Sequence, residues 1–362
     1  MRQQIQFCTS ADGTRIAFAT MGSGPPLVRA ASWMTHLEHD AINPITVPYW
    51  EEFARNHTFI RYDLRGHGLS ERNVEDMSFA AWVKDLEAVI DAAGLDRVSL
   101  IGMSAGGPLA IAYAAYHPQR VQKMMLHGAF VRGIRVHDLR PEQIEQIDAL
   151  NHMVEVGWGT KHAAFRQIFS ALLIPSGNVD QWQWWNELQR QSSSGRVAAS
   201  ALKTMQGIDV RYLASSVACP TLVTHSTGDT SVPFAEGRLT ASLIPGARLV
   251  AVNDRNHILI KADPAWEEFV EEFRNFFCTD TPSRPLSASQ PAFPQLSARE
   301  TEVLDLIARG MDNDQIAARL ELSPKTVRNH ITSIFSKLEI YTRSKAVVIA
   351  REAGLGLSSL SR

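Results

Sequence analysis

The sequence has few of the features that mark secreted or membrane-bound chains. It contains only three cysteines, Cys8, Cys219 and Cys278, and their odd number and wide spacing argue against a disulfide framework or a cysteine-rich zinc site. No stretch approaches the roughly 20 apolar residues that cross a bilayer, and the first residues lack the apolar core of a signal peptide. We therefore expect a cytoplasmic protein with reduced thiols and no membrane partner.

The chain also lacks an excess of positive charge. Its 36 lysines and arginines are outnumbered by 38 aspartates and glutamates, so any contact with DNA has to come from a local basic surface. At 362 residues the chain has room for two or three domains. Its share of hydrophobic residues, 45%, is that of ordinary globular proteins, so packed domains are expected.

Four prolines among serines and threonines separate two parts of the chain. They lie in residues 278–295, which show no hydrophobic periodicity and are predicted to form a linker. The sequence pattern changes abruptly across this segment. We therefore predict one domain over residues 1–277 and a second over residues 296–362.

Short β-rich runs alternate with helical patterns through most of residues 1–277, which is typical of a sheet flanked by helices. The predicted strands are Thr14–Thr20, Pro26–Ala31, His57–Tyr62, Val98–Met103, Val121–His127, Thr221–Ser226 and Arg248–Val252. The predicted helices are Ser78–Ala93, Ala105–His117 and Pro264–Phe277. Many of the strands are almost wholly apolar, which predicts burial on both faces and a mostly parallel sheet of the α/β class.

Residues of about 129–216 break this alternation. The stretch is helical in pattern, contains no clear strand, and is predicted to be a helical cap inserted into the α/β domain. It holds Trp158, Trp182, Trp184 and Trp185. Clustered tryptophans can pack the interior of a cap or line a ligand pocket, and both interpretations stay open.

A predicted strand leads directly into Gly-Met-Ser-Ala-Gly, residues 102–106, and then into a predicted helix. On such a strand-turn-helix the serine hydroxyl points out of the sheet, and glycines at the flanking positions let neighbouring backbone pass closely. The five-residue pattern alone is weak. In this context it marks Ser104 as a candidate nucleophile.

A serine nucleophile needs a base and an orienting carboxylate. Asp229 lies just after the predicted strand Thr221–Ser226, and His257 follows the predicted strand Arg248–Val252. Both positions are at the C-terminal ends of strands, where the sites of open α/β sheets gather. The order serine, aspartate, histidine makes Ser104 the nucleophile, His257 the general base and Asp229 its orienter.

Residues 1–277 resemble the α/β-hydrolase family through this triad, the segment Tyr62–Ser70 and Asp12-Gly13-Thr14 in the first hairpin. The resemblance implies an oxyanion hole formed by the backbone N–H groups of Trp33 and Ala105, although Ala31-Ser32-Trp33 stands where many members have His-Gly. No metal or other cofactor is expected. The candidate ligand-pocket residues are Ser32, Met103, Trp158, Trp182 and Trp185.

The second domain shows the start signals of short helices. Ser297 and Glu300 form a capping-box pattern before an apolar stripe. A second helix is predicted over about 314–320. Ser323 then caps a third helix that Pro324 opens.

The third helix carries a local basic surface. Its apolar residues fall at helical spacing, its other faces are polar, and no acidic residue occurs from 323 to 338. Lysine and arginine bind phosphate or guanine and asparagine binds adenine, so this helix is predicted to contact DNA. The candidate DNA-binding residues are Lys325, Thr326, Val327, Arg328, Asn329, Ser333 and Lys337.

Residues 296 to about 357 resemble the LuxR-type helix-turn-helix, on the matching segments 296–304, 316–320, 323–330 and 337–338. The resemblance implies that Lys325, Thr326, Arg328 and Lys337 contact phosphates or bases, with Val327 both packed and close to a base. It also implies that a fourth helix, over 342–353, supports a homodimer. One departure is the acidic 312–314 segment, where relatives often place a lysine near the DNA backbone.

Together these features predict a ligand-responsive transcription regulator. A hydrolase-like domain under a cap would bind a small acyl, ester or aromatic molecule, and the second domain would bind DNA. An alternative is an active serine esterase with an appended DNA-binding domain. A third hypothesis is covalent sensing through a slowly hydrolysed acyl group on Ser104.

Overall fold

The computed structural model describes residues 2–160, 162, 164–277, 293, 296–320, 322–338, 340 and 342–352. They fall into two compact units, Met1–Asp280 and Thr281–Arg362. The predicted linker, residues 278–295, lies outside the described residues except for Phe293. None of the helices in these described ranges is both long and apolar enough to span a membrane.

The first unit is built on a sheet of eight strands. They are β1 (Gln4–Thr9), β2 (Arg15–Met21), β3 (Pro26–Ala30), β4 (Thr58–Tyr62), β5 (Val98–Met103), β6 (Val121–His127), β7 (Thr221–Ser226) and β8 (Arg248–Val252). Their order is β1-β2-β4-β3-β5-β6-β7-β8, with β2 antiparallel to both neighbours and the later pairs parallel. The predicted α/β class is confirmed.

The first unit also contains a set of α-helices. They are α1 (Leu37–Asp40), α2 (Val47–Ala54), α3 (Phe79–Ala92), α4 (Gly106–Tyr116), α5 (Pro141–Gly157), α6 (Ala164–Leu173), α7 (Val179–Ser192), α8 (Gly195–Gly207), α9 (Arg211–Ala214), α10 (Phe234–Leu243) and α11 (Pro264–Phe277). Alternate strand residues point to opposite faces of the sheet. Leu27 and Ile101 pack in one core with α2 and α11, whereas Val28 and Leu100 pack in another core with α3 and α4. This double burial explains the continuous apolar strands.

The chain between β6 and β7 forms a helical layer at the place of the predicted cap. It contains a 3₁₀ turn at Ile134–Val136 and the helices α5 to α9. Within it α5 packs on α8 and α6 packs on α7. The backbone N–H groups of His257 and Ile258 donate to the carbonyl of Leu173 at 2.9 and 3.1 Å, which ties the end of α6 to the loop after β8.

The second unit consists of four described helices around an apolar core. They are α12 (Ala298–Ala308), α13 (Asn313–Leu320), α14 (Pro324–Lys337) and α15 (Arg343–Glu352). The capping box is present, because Ser297 N donates to Glu300 Oε2 at 2.7 Å and Glu300 N donates to Ser297 Oγ at 3.2 Å. Thr326 N donates to Ser323 Oγ at 3.1 Å, which fixes the start of α14. The core includes Val303, Leu304, Ile316, Val327 and Ile334.

Candidate active site and DNA-binding helix

Ser104 lies on a strained turn between β5 and α4. Its φ of +51° falls in the left-handed region, which a non-glycine residue seldom adopts. A Cβ on Gly102 would lie 2.7 Å from the carbonyl oxygen of Gly106, and a Cβ on Gly106 would lie 2.6 Å from that of Ala30. The two glycines of the motif are therefore required by the close approach of neighbouring backbone.

Asp229 and His257 meet at the ends of β7 and β8. The Oδ2 atom of Asp229 lies 2.6 Å from Nδ1 of His257, and both side chains are 1% exposed. Asp229 Oδ1 accepts the backbone N–H groups of Ser231 at 2.8 Å and Val232 at 2.9 Å. Burial raises the pKa of Asp229, but the nearby His257 and the N–H of Val232 outweigh this, so the pKa ends below its usual value. The carboxylate stays ionised and fixes the imidazole.

The other ring nitrogen of His257 is available for proton transfer. With Nδ1–H donating to Asp229, the neutral imidazole carries its lone pair on Nε2. This atom is buried and has no hydrogen-bond partner among the described residues. His257 and Ser104 line one cavity. The three residues predicted from the sequence are thus brought to one edge of the sheet.

Two further buried histidines surround this pair. His225 Nε2 lies 2.8 Å from the carbonyl of Val232 and 3.5 Å from Asp229 Oδ2, and His127 Nδ1 lies 2.9 Å from Thr224 Oγ1. Burial lowers the pKa of both, that of His127 to about 3, so both are neutral near pH 7. The Asp229 carboxylate is therefore the charge that acts on His257.

The cavity has a volume of about 440 Å³ and a mainly apolar wall. Of the candidate pocket residues, Ser32, Met103 and Trp185 line it, as does Trp33. Trp158 and Trp182 are not among its lining residues. Trp158 is 1% exposed and its ring stacks on Trp33, with centroids 4.7 Å apart, and Trp182 Nε1 donates to Ile174 O at 2.9 Å. Trp158 therefore supports the cavity wall from behind Trp33, whereas Trp182 is held within the cap.

The loop that carries Trp33 turns without a glycine. Met34, the next residue, takes a φ of +65°. Such a backbone is costly for a residue with a side chain, and here Met34 is buried at 7% exposure. Ala105 follows Ser104 and is the N-cap of α4. The two proposed oxyanion donors thus belong to the loop after β3 and to the nucleophile turn.

Sequence reasoning missed several charged residues of the cavity. Arg132 and Glu236 form an ion pair at 3.0 Å in its wall, and Arg29 lies at the end of β3. The signal was present for Arg29, since it is a lone charge inside an apolar strand. Nothing in the sequence showed that β3 borders a cavity.

The first half of α14 carries an open basic surface. Lys325, Arg328 and Asn329 are exposed, Thr326 is half-buried, and Val327 is buried in the core. Neither Lys325 nor Arg328 makes an ion pair with any residue of the described ranges. These cations are free to meet phosphate or base edges.

The second half of α14 is engaged within its own unit. Ser333 Oγ donates to Glu300 Oε1 at 2.6 Å, and Lys337 Nζ donates to the two carboxylate oxygens of Glu300 at 2.9 and 2.7 Å. Lys337, Ser333 and the N–H of Ser297 hold the pKa of Glu300 at about 2. In this structure the polar groups of Ser333 and Lys337 are therefore partners of Glu300, and a contact of either residue with DNA stays a prediction.

Comparison with known proteins agrees with this architecture. The family model described as alpha/beta hydrolase fold matches residues 46–264, and the model described as bacterial regulatory proteins, luxR family, matches residues 294–350. The chain belongs to the α/β-hydrolase family. It carries in addition a C-terminal domain of the LuxR type, so both resemblances inferred from the sequence are confirmed.

The relatives of the α/β-hydrolase domain include a non-heme haloperoxidase of Rhodococcus erythropolis, which is 26% identical over 266 residues, 70% of this chain and 93% of the relative. Among solved structures, an esterase from a Rhodococcus species is 25% identical with a TM-score of 0.59, covering 76% of this chain and 98% of that one. An esterase from Exiguobacterium antarcticum is 21% identical with a TM-score of 0.63, covering 76% and 99%. The latter likeness shows the fold alone.

Proposed function

We propose that this protein is a ligand-responsive transcription regulator that acts as a homodimer in the cytoplasm. Its LuxR-type domain binds DNA through the first half of α14, and its α/β-hydrolase domain binds a small acyl, ester or aromatic molecule. The observation that carries the proposal is the cavity of about 440 Å³ beside Ser104 and His257 in a chain that also has a LuxR-type domain. A cavity of this size accommodates a small organic ligand.

The domain division supports this assignment. We place the ligand-binding part in residues 1–277, with the cap over about 129–216, and the DNA-binding part in residues 296–362, joined by residues 278–295. Ligand and DNA affinities are then coupled only if the ligand favours one state of the whole chain.

The test uses the full-length protein and a duplex selected from a random-sequence library. Short-chain and aromatic esters are first screened for binding by the fluorescence of Trp33 and Trp185, which line the cavity. DNA affinity is then measured by fluorescence anisotropy with and without the compounds that bind. We expect a change of about fivefold or more. Cavity binders that leave the DNA affinity unaltered would refute the regulatory role.

A second candidate function is serine hydrolysis, favoured by the 2.6 Å contact of Asp229 with His257 and the unpartnered Nε2 of His257. Ser104 Oγ would attack the ester carbonyl as His257 takes its proton, and the N–H groups of Trp33 and Ala105 would bind the oxyanion. Hydrolysis of p-nitrophenyl butyrate that Ser104→Ala abolishes supports this activity. Ser231→Ala is the matched control, because Ser231 lines the same cavity. A stable acyl adduct on Ser104 in intact-mass spectra would instead indicate covalent sensing.

A further inference from the structure

Arg29 places a charge on an otherwise apolar face of β3. Strand alternation puts it on the same face as Leu27, which packs in one core with Trp50 and Ile101. Arg29 itself is 8% exposed. A guanidinium there loses most of its hydration, which is strongly unfavourable unless a partner replaces the water.

The partners that the described residues offer to Arg29 are neutral. Its Nη2 donates to Ser32 Oγ at 2.8 Å, and its Cζ lies 5.1 Å from the ring centroid of Trp50. The Nε atom is buried and has no hydrogen-bond partner in the described part of the chain. No described carboxylate forms an ion pair with Arg29, whereas Arg61, on the same Trp50 ring, pairs with Asp40 at 3.5 Å.

Neither of the two nearby carboxylates, Asp40 and Asp63, forms an ion pair with Arg29 in the described part of the chain. Asp40 already faces Arg61, and Asp63 Oδ2 accepts two backbone N–H groups. Burial raises the pKa of both carboxyl groups, that of Asp63 to about 7. Burial lowers the pKa of Arg29 only to about 10, so it remains protonated near neutral pH. Arg29 is therefore a buried cation without an ion pair among the described residues, and its Nε–H is unpartnered there.

This unpaired guanidinium lies on the wall of the cavity that holds Ser104. Arg29 and Ser32 both line it. Arg29 pairs with Ile101 across β3 and β5, and Ser104 lies three residues farther along. At about 3.3 Å per residue, the three residues from Ile101 to Ser104 advance the chain by at most about 10 Å. A ligand of several carbon atoms spans such a separation.

We propose that Arg29 and Ser32 form a carboxylate-binding subsite, so that the cavity takes an acyl compound or ester bearing a second, free carboxylate. The carboxylate accepts from the Nε–H of Arg29, and Ser32 Oγ, which accepts from Arg29, still has its own hydrogen to donate. The reacting carbonyl then lies toward Ser104. This inference rests on the proposed ligand-binding role of the domain.

The experiment compares monomethyl and dimethyl esters of one diacid, from succinate to suberate, which differ by a single negative charge. Binding is measured by calorimetry on the full chain carrying Ser104→Ala, so that no ester is consumed. We expect the best monomethyl ester to bind about ten- to a hundredfold tighter than its dimethyl counterpart. In Arg29→Met this preference should vanish, and in Arg29→Lys part of it should remain.

Arg132→Met is the matched control, because Arg132 lines the same cavity but is already paired with Glu236. It should keep the preference for the charged ester. If the Ser104→Ala protein with Arg29 intact binds both esters equally, the subsite is overturned. This outcome does not depend on a variant at position 29, and it leaves the ligand-binding role of the domain intact. Failure of every ester in the series to bind overturns the subsite as well, and the ligand-binding role is overturned only if the short-chain and aromatic esters of the fluorescence screen also fail to bind.

Discussion

Replacing Lys325 and Arg328 with glutamine should reduce the salt dependence of DNA binding, whereas replacing Lys337 together with Glu300 should leave it unchanged. Lys325 and Arg328 are exposed and make no ion pair among the described residues. Lys337 is held by the Glu300 carboxylate at 2.7 and 2.9 Å. The first pair can release counterions from DNA, and the second pair contributes no net charge.

The size of the effect follows from the number of phosphates neutralised. Each contact contributes about 0.9 to the slope of log K against log salt concentration, so losing two contacts lowers the slope by about 1.8 per domain. When the salt concentration rises fourfold, the DNA affinity of the unchanged domain should therefore fall by a factor about twelve times larger than that of the variant. The Lys337→Gln/Glu300→Gln variant keeps a glutamine at the capping-box position, which preserves the start of α12.

Fluorescence anisotropy with the selected duplex, from about 50 to about 200 mM salt, measures both slopes. Circular dichroism verifies that each variant keeps its helices. A Lys325→Gln/Arg328→Gln protein with an unaltered slope would show that α14 does not meet phosphate in this way. A slope lowered by about 0.9 in the Lys337 variant would show that Lys337 leaves Glu300 for DNA.

Two further predictions concern carboxylates. Asp229→Asn should slow Ser104-dependent hydrolysis of p-nitrophenyl butyrate by about 10⁴-fold, because the amide favours the wrong tautomer of His257. Steady-state rates within about tenfold of those of the unchanged protein would contradict the role of Asp229 as the orienter of His257. Glu300 has its pKa held at about 2 by Lys337 and two serines, below the usual 4.5. Its ionised form therefore stabilises the second unit fully above about pH 4.5 and progressively less as the pH falls toward 2. In the Glu300→Gln protein the amide hydrogens of α12 and α14 should exchange with solvent faster at pH 7 than in the unchanged protein. Equal exchange rates would rule out the stabilising contact.

The sheet was largely predictable because buried strands are continuous apolar runs. The bounds of β7 and β8 coincide with the predicted ones. β1 was not among the predicted strands, because this edge strand is mostly exposed and lacks such a run; Phe7 is 53% exposed. The other edge strand, β8, was predicted because its residues 249–252 form a continuous apolar run.

The candidate active site was predictable where chemistry fixes residue type and position. Ser104 was marked by glycines that the backbone packing requires, and Asp229 and His257 by their places after strands. The wall of the cavity was not predictable from local pattern. Whether Trp158 faces a ligand or the back of Trp33 depends on how the cap helices pack, which no spacing along the chain reports.

In α14, too, local pattern predicted which residues face away from the core but not what they contact. A helical pattern shows that Ser333 and Lys337 lie outside the apolar stripe, but not that a carboxylate from α12 occupies that face. Glu300 thus caps α12 and holds the second half of α14, so each domain offers DNA a smaller basic surface than the sequence indicates. Lys325 and Arg328 together would contribute about 1.8 to the salt slope of each domain, and about 3.6 in the proposed homodimer.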